Sequence, residues 1–85
     1  MTRAFLIEHL ISEGCYTESN NDIGEFWINC VNGSTCHIPY RENLQLTTYC
    51  HIIYELKIIP PAKYESDYEV YLHFRTDQLE KFIKK

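Results

Sequence analysis

The dipeptide Asn32-Gly33 limits the fold of this chain most, because it separates two segments of strand-like composition. Asn-Gly is the pair best suited to the positive φ angles of a two-residue β-hairpin turn. The segment before it, residues 25–31, is rich in aromatic and β-branched residues, and residues 34–40 can return as its partner. Pro39 ends the regular pairing, since it has no N–H to donate. The sequence therefore predicts an antiparallel hairpin in the middle of the chain.

The register of this hairpin decides which side chains share a face. A two-residue turn pairs Trp27 with Ile38 and Asn29 with Cys36. A longer turn slides the register by two residues without changing the faces, because side chains alternate strictly along a strand. One face then carries Trp27, Asn29, Val31, Cys36, Ile38 and Tyr40, and the other carries Phe26, Ile28, Cys30, Thr35, His37 and Pro39. Both faces are substantially apolar, so we expect the C-terminal helix or a partner molecule to cover the second one.

Two helices are predicted beside the hairpin. The first spans residues 3–13, where Thr2 can cap the start and Gly14 follows at the position where helices commonly end. The second runs from a cap at Asn43 to about Ile58, and a Pro-Pro pair ends it. The apolar residues expected to face the core are Ala4, Ile7, Leu10 and Ile11 in the first helix and Leu46, Tyr49, Ile53 and Leu56 in the second.

The remaining segments complete a mixed fold. A short strand is predicted at residues 15–17, followed by a polar loop at residues 19–22. In the tail, alternating apolar residues would suit a strand, but a helical repeat also runs through it, and Ser66 with Glu69 forms a capping box, so we predict a helix. The fold class is α+β: a small antiparallel three-stranded sheet with flanking helices, in the order α-β-β-β-α, plus a C-terminal helix.

The composition predicts one domain and limits its partners. The chain has 85 residues, of which 45% are hydrophobic and 24% charged, and its net charge is −4. A protein that holds nucleic acid mainly through phosphates needs concentrated Lys and Arg, so strong nonspecific binding of nucleic acid is not expected. No apolar run approaches the roughly 20 residues that span a bilayer, and polar groups interrupt the N-terminal segment. We therefore expect a cytoplasmic protein with no membrane partner.

Residues that could carry chemistry are scattered along the chain. The four histidines are far apart in sequence, and none lies in a recognisable nucleophile motif. Caps and turns explain the three glycines better than a phosphate-binding loop does. The four cysteines are expected to be small apolar core residues, and Cys30 and Cys36 point to opposite faces of the hairpin. We expect no metal and no cofactor.

The order of these elements resembles that of the HicA-type (YcfA-like) family. The likeness spans about residues 4–61, through the segment GEFWINCVNGSTCHIPYREN and a helix ending in LKIIPP. Its most specific parts are Trp27-Ile28-Asn29, Ile38-Pro39 and Ile58-Ile59-Pro60. HicA-type proteins are small bacterial toxins that cleave RNA and have a fold like that of double-stranded-RNA-binding domains. The resemblance implies a HicA-like core in residues 1–61. Residues 62–85 lie beyond the resemblance, and we predict that they form a C-terminal helical extension packed on the same domain.

The chain departs from this family at the catalytic histidine. The family has this residue in a Gly-x-His setting just before the first hairpin strand, and that position falls at Gly24 here. No histidine occurs between His9 and His37, and Tyr40 and Arg41 follow the Ile-Pro where the family often has arginine and histidine. Loss of a general base typically lowers a rate by about 100-fold to 10,000-fold. The resemblance therefore implies a catalytically degenerate relative.

Three hypotheses for the function follow. The first is a non-catalytic protein-interaction module of HicA-like fold, a degenerate toxin–antitoxin component whose partner is an antitoxin-like protein or a second copy. Its expected contact residues are Trp27, Asn29, Tyr40 and Arg41, because Trp is a common interface anchor. The second is an active mRNA-cleaving toxin that uses displaced groups, with His37 as the catalytic residue beside Arg41. The third is an unrelated small α+β binding domain. RNA binding is expected to be weak in the first case.

Overall fold

Three helices, three strands and one short helical turn make up the part of the chain that the structure describes. The computed structural model covers the backbone of residues 1–83 and the side chains of residues 1–75. The elements in chain order are α1 (Arg3–Ser12), β1 (Cys15–Asn20), β2 (Gly24–Asn29), β3 (Thr35–Pro39), α2 (Leu46–Leu56), a 3-10 turn (Ala62–Tyr64) and α3 (Glu65–Ile83). The predicted α+β class and the order α-β-β-β-α with a C-terminal helix are confirmed. No helix in the described part is long and apolar enough to cross a membrane.

The sheet is antiparallel throughout, in the order β1-β2-β3. Trp27 pairs with Cys36 and Phe26 with His37, so the register is two residues away from the one that a two-residue turn would give. The hydrogen bond that closes the turn runs from the backbone N–H of Asn29 to the carbonyl of Ser34, at 2.9 Å. Four residues, 30–33, therefore form the turn. Of the two residues Asn32 and Gly33, only Gly33 adopts a positive φ, of 74°, whereas a two-residue Asn-Gly turn needs a positive φ at both positions. The predicted two-residue turn is wrong, but the predicted faces are kept.

Both α1 and α2 lie on one face of the sheet, and the core fills the space between them. Each Leu or Ile side chain that is fully removed from water here contributes about 1.5–3 kcal/mol to stability. The core residues are Leu6, Leu10, Cys15, Trp27, Ile38, Leu44, Tyr49, Ile52, Ile53, Leu56 and Ile58. Strand residues on this face are therefore interior, and those that alternate with them point away from the helices.

The start and the end of α1 follow the prediction. The side-chain oxygen of Thr2 accepts a hydrogen bond from the backbone N–H of Phe5 at 3.2 Å. Gly14 has φ of 86°, the left-handed conformation in which helices commonly end. The buried stripe differs from the expected one, since Leu6 and Leu10 are buried while Ile11 is 60% exposed. The buried face is rotated relative to the predicted one.

The predicted cap of α2 at Asn43 is wrong. The helix begins at Leu46 after Gln45, and no side chain caps it. Asn43 instead forms an isolated bridge with Thr2, because the chain here pairs briefly with the N-terminal residues. At the other end the helix stops at Leu56, since Lys57 adopts a left-handed φ of 54°. Of the expected stripe, Tyr49, Ile53 and Leu56 are buried and Leu46 is 43% exposed.

The tail is helical as predicted, but its start and its packing differ from expectation. Because α3 begins at Glu65, Ser66 lies inside the helix and does not cap it. The helix packs against α2: the guanidinium of Arg75 lies 4.2 Å from the centre of the Tyr54 ring. The hydroxyl of Tyr71 lies 3.3 Å from Nδ1 of His51. The C-terminal helix therefore covers α2, and among the residues whose side chains are described none of this helix covers the second face of the hairpin. The predicted stripe positions Leu79 and Phe82 lie outside the residues whose side chains are described.

Candidate functional site

The structure places two of the four predicted contact residues in the core. Trp27 is 4% exposed and Asn29 is 3% exposed, and both lie on the face that α1 and α2 cover. The indole N–H of Trp27 donates to the Glu25 carboxylate at 3.3 Å. A partner could reach neither side chain without displacing a helix. The assignment of Trp27 and Asn29 as contact residues is corrected for this reason: strand alternation shows which residues share a face, not which face the helices cover.

Asn29 has an internal role that the sequence reasoning missed. Its side-chain N–H donates to the carbonyl of Leu56 at 2.9 Å, at the end of α2. Its side-chain oxygen accepts a hydrogen bond from the backbone N–H of Val31 at 2.9 Å, inside the hairpin turn. One buried amide thus satisfies a helix carbonyl and shapes the turn. A polar residue between apolar neighbours in a strand, just before the turn, was the available signal.

The opposite face of the sheet is open. We call it the outer sheet face, and its residues are Tyr16, Phe26, Ile28, Thr35 and His37. Tyr16 is 52% exposed and Phe26 is 39% exposed, and the centre of the Phe26 ring lies 4.9 Å from that of His37. Aromatic and aliphatic side chains on an uncovered sheet face are typical of an interaction surface.

Tyr40 and Arg41 lie beyond the end of β3, where strand alternation no longer applies, and they adjoin the outer sheet face at His37. Both are exposed. The Arg3 guanidinium lies 5.2 Å from the centre of the Tyr40 ring and donates to the carbonyl of Pro39 at 3.0 Å, which holds this end of the strand in place. A surface depression of 420 Å³ joins them to the sheet, and its lining consists of Asp22, Ile23, His37, Pro39, Tyr40 and Arg41.

The imidazole of His37 fills the space that a side chain at position 24 would need. A Cβ built on Gly24 would lie 2.5 Å from Nε2 of His37 and 2.5 Å from the backbone carbonyl oxygen of Ile38. Glycine is required here because a backbone atom of the neighbouring strand cannot retreat as a side chain could. Nε2 of His37 is buried and makes no hydrogen bond. A general base must reach the proton that it removes, and Nε2 of His37 is buried and so is not accessible to a substrate.

The four cysteines are free thiols that differ in burial. Cys15 and Cys50 are buried. Burial, with a smaller effect of the Glu55 charge, raises the pKa of Cys36 to about 11, so this thiol is protonated at neutral pH. Within the described part of the chain, no three His, Cys, Asp or Glu side chains converge as metal ligands would.

Comparison with known proteins identifies no relative: no family model matches the chain, and it matches no curated protein and no solved structure. The HicA-like resemblance therefore rests on the sequence segments and on the order of the elements. An element order is shared by proteins of unrelated function, so the function must be argued from the site.

Proposed function

We propose that the protein is a non-catalytic protein-interaction module of HicA-like fold, a degenerate toxin–antitoxin component of the bacterial cytoplasm. Its contact surface is the outer sheet face, extended by Tyr40 and Arg41. The observation that carries the proposal is the exposure of Tyr16 and Phe26 on a sheet face that no described helix covers. Large aromatic side chains supply most of the binding energy at interfaces, and Arg is the charged residue most enriched there.

The surroundings of Gly24 support a non-catalytic role. At the position where the related family has its histidine, the approach of the Ile38 carbonyl excludes any side chain. The Nε2 atom of the nearby His37 is buried against Gly24 and has no hydrogen-bond partner. Two different features, one of the backbone and one of a side chain, thus oppose general base catalysis at this place.

The charge of the chain favours a protein partner over RNA. Its net charge is −4, whereas a surface that binds RNA through phosphates gains affinity from each Lys or Arg contact. Asp22 lines the same depression as Arg41, so an approaching phosphate would meet both signs of charge. An antitoxin-like protein with apolar and acidic side chains would suit the aromatic rings and Arg41 together.

We predict that a small antitoxin-like reading frame adjoins the gene, and its product is the partner to test. Isothermal titration calorimetry with the two purified proteins should give a saturable complex. Phe26→Asp should weaken this complex about 30-fold, the loss expected for an interface anchor worth about 2 kcal/mol.

Val31→Asp is the matched control, because Val31 is an apolar residue that is 83% exposed in the hairpin turn, away from the outer sheet face. This variant should bind as the wild type does. A complex that tolerates Phe26→Asp, or that both variants weaken equally, would contradict the proposed surface.

One observation favours the second candidate, an mRNA-cleaving toxin that uses displaced groups. His37 and Arg41 line the same depression, and such a reaction would need a histidine and an arginine close together. Induced expression of the wild type and of His37→Ala separates the two functions. Our proposal expects no growth arrest and no cleavage of purified RNA by either protein. Arrest by the wild type that His37→Ala abolishes would establish the enzyme instead.

A further inference from the structure

Strand β3 forms one edge of the sheet, and part of its backbone has no partner there. The hydrogen bond from Asn29 to Ser34, which closes the turn, fixes which residues of β3 bond to β2. Hydrogen-bonded and non-hydrogen-bonded pairs alternate along an antiparallel ladder, so Cys36 bonds to β2 and its neighbours Thr35 and His37 do not. The backbone N–H and carbonyl groups of these two neighbours therefore point outward from the edge of the sheet.

The open part of this edge is short and well defined. In the described part of the chain, no hydrogen bond reaches the backbone N–H of Thr35 or of His37. The His37 carbonyl has only a weak contact, from the Cys36 thiol at 3.6 Å. The next outward position is Pro39, which has no N–H and whose carbonyl already accepts a hydrogen bond from Arg3. The edge therefore offers the N–H and carbonyl groups of Thr35 and His37 to another backbone.

The two edges of the sheet differ in how they are protected from pairing. Strand β1, at the other edge, has an irregular register between Thr17 and Ser19, with the charged residue Glu18 at the irregularity. Bulges and charged side chains are the usual devices that keep a sheet edge from pairing with another chain. The register of β3 is unbroken, and none of its residues is Asp, Glu, Lys or Arg. The edge of β3 is therefore the one that is available to a further strand.

The position of α2 decides what kind of strand can pair with this edge. Helix α2 packs against β3, as α1 packs against β1. If β3 of a second copy paired here, the two strands would lie about 4.8 Å apart, and the two α2 helices beneath them would lie at nearly the same spacing. Packed helices need about 8–10 Å between their axes, so the two copies would overlap. An extended segment with no helix packed beneath it avoids this overlap.

We propose that the protein partner adds an extended segment to the edge of β3 as a fourth strand, with a Lys or Arg opposite Cys36. This inference rests on the proposed function, because the edge borders the outer sheet face at Thr35 and His37. The backbone of the segment would supply a partner to each open N–H and carbonyl group, as in other complexes formed by strand addition.

The basic residue of the segment follows from the charge beside Cys36. Residues opposite each other in a strand pair point to the same face, so the residue opposite Cys36 lies on the side of α2. The side chain of Glu55, on α2, is 39% exposed. Burial raises the pKa of the Cys36 thiol and the Glu55 charge adds to this rise, which places the carboxylate near the same point. A Lys or Arg there would complement this carboxylate.

Amide hydrogen exchange followed by NMR tests the added strand on the full chain, alone and with the purified product of the adjoining reading frame. In the free chain the amides of Thr35 and His37 should exchange about 100-fold faster than that of Cys36, and in the complex they should slow about 100-fold. A complex that forms and is weakened by Phe26→Asp, but in which these two amides exchange as in the free chain, would overturn the added strand and leave the outer sheet face standing. The absence of any complex would contradict both proposals.

A pair of variants at position 35 separates the backbone from the side chain. Thr35→Pro removes an N–H that β2 does not use, as the native Pro39 does two positions on in the same strand. Thr35→Val keeps the N–H and measures the contribution of the hydroxyl. The proline variant should bind about tenfold more weakly than the valine variant, with the same far-UV circular dichroism. Equal affinities of the two variants would overturn the added strand.

A charge reversal at Glu55 tests the basic residue of the segment. Glu55→Lys should weaken the complex about fivefold, because an attractive pair becomes a repulsive one. Glu8→Lys is the matched control, since it changes the net charge equally at an exposed position of α1, and it should bind as the wild type does. Equal effects of the two reversals would overturn the assignment of a Lys or Arg opposite Cys36.

Discussion

At the scale of single residues, Asn29 connects the two parts of the fold. Its amide group joins the hairpin turn to the last carbonyl of α2 through hydrogen bonds to Val31 and Leu56. A polar side chain that is 3% exposed persists in a core only when its hydrogen bonds are satisfied. Asn29, which was predicted to contact a partner, is therefore part of the internal structure.

Replacing Asn29 by Ala should lower the free energy of unfolding by about 2–3 kcal/mol. The change leaves the buried Leu56 carbonyl without this partner, at a cost of about 1–3 kcal/mol, and removes the part-buried hydrogen bond from the Val31 N–H, worth about 0.5–1.5 kcal/mol. Urea denaturation followed by circular dichroism measures the loss.

Asn32→Ala is the control for this change. The side-chain oxygen of Asn32 also accepts a turn hydrogen bond, from the backbone N–H of Ser34 at 2.8 Å, but it is exposed to water. We expect a loss of about 0.5–1 kcal/mol, because water replaces the lost partner. Equal losses in the two variants would show that the contact with α2 contributes nothing.

The sequence predicts the alternation of residues in the hairpin but not the identity of its covered face. Both faces carry apolar residues, so period-two alternation alone assigns Trp27 and Phe26 to opposite faces without deciding which is interior. The decision depends on where α1 and α2 cross the sheet. That is a long-range property, and no local pattern encodes it. Tyr40 and Arg41, which were predicted as contact residues, lie beyond the strand end and are exposed.

At the scale of elements, the helices and strands are predicted well and their ends less well. Amphipathic spacing locates α1, α2 and α3, and the β-branched segments locate the hairpin. The predicted cap at Asn43 fails because residues 42–44 are held by the N-terminal segment: the Leu44 N–H donates to the Met1 carbonyl at 2.7 Å. A side chain can cap a helix only if the backbone turns into the helix at that residue.

Deleting residues 66–85 should expose apolar surface on α2. In the full chain Tyr54 is covered by the Arg75 guanidinium and by the Tyr71 ring, whose centre lies 6.4 Å from that of Tyr54. Without α3, the side chains of Tyr54 and Cys50 meet water. We expect increased fluorescence of the dye ANS and aggregation in light scattering. A truncated chain that remains monomeric and binds no dye would show that α3 is not needed to cover the apolar surface of α2.

At the scale of the whole molecule, the buried thiols and phenols link stability to alkaline pH. Burial raises the pKa of Tyr49 and of Cys50, as it does for Cys36, because the charged form is less favourable away from water. The Tyr49 hydroxyl is buried without a hydrogen-bond partner. These groups are neutral in the folded protein at neutral pH and favour folding only as long as they stay neutral.

The temperature of half-unfolding should therefore fall as the pH rises from 9.0 toward about 11, the ordinary and the raised pKa of Cys36. The folded pKa lies above the unfolded one, so the stabilisation is complete below pH 9.0 and is lost as the pH passes the folded value. Differential scanning calorimetry measures the fall. Cys36→Ala should have a shallower pH dependence than the wild type; curves of equal slope would refute this linkage.

Photo-crosslinking in the native cells tests most directly whether the outer sheet face is the contact surface for a protein partner. The photoreactive residue p-benzoylphenylalanine is placed at position 26, a conservative change for Phe26, and at position 31 as the control, where Val31 is 83% exposed. Irradiation should give one discrete protein adduct from position 26 that ribonuclease does not remove, and no such adduct from position 31. No adduct from position 26, or an adduct that ribonuclease removes, would contradict the account.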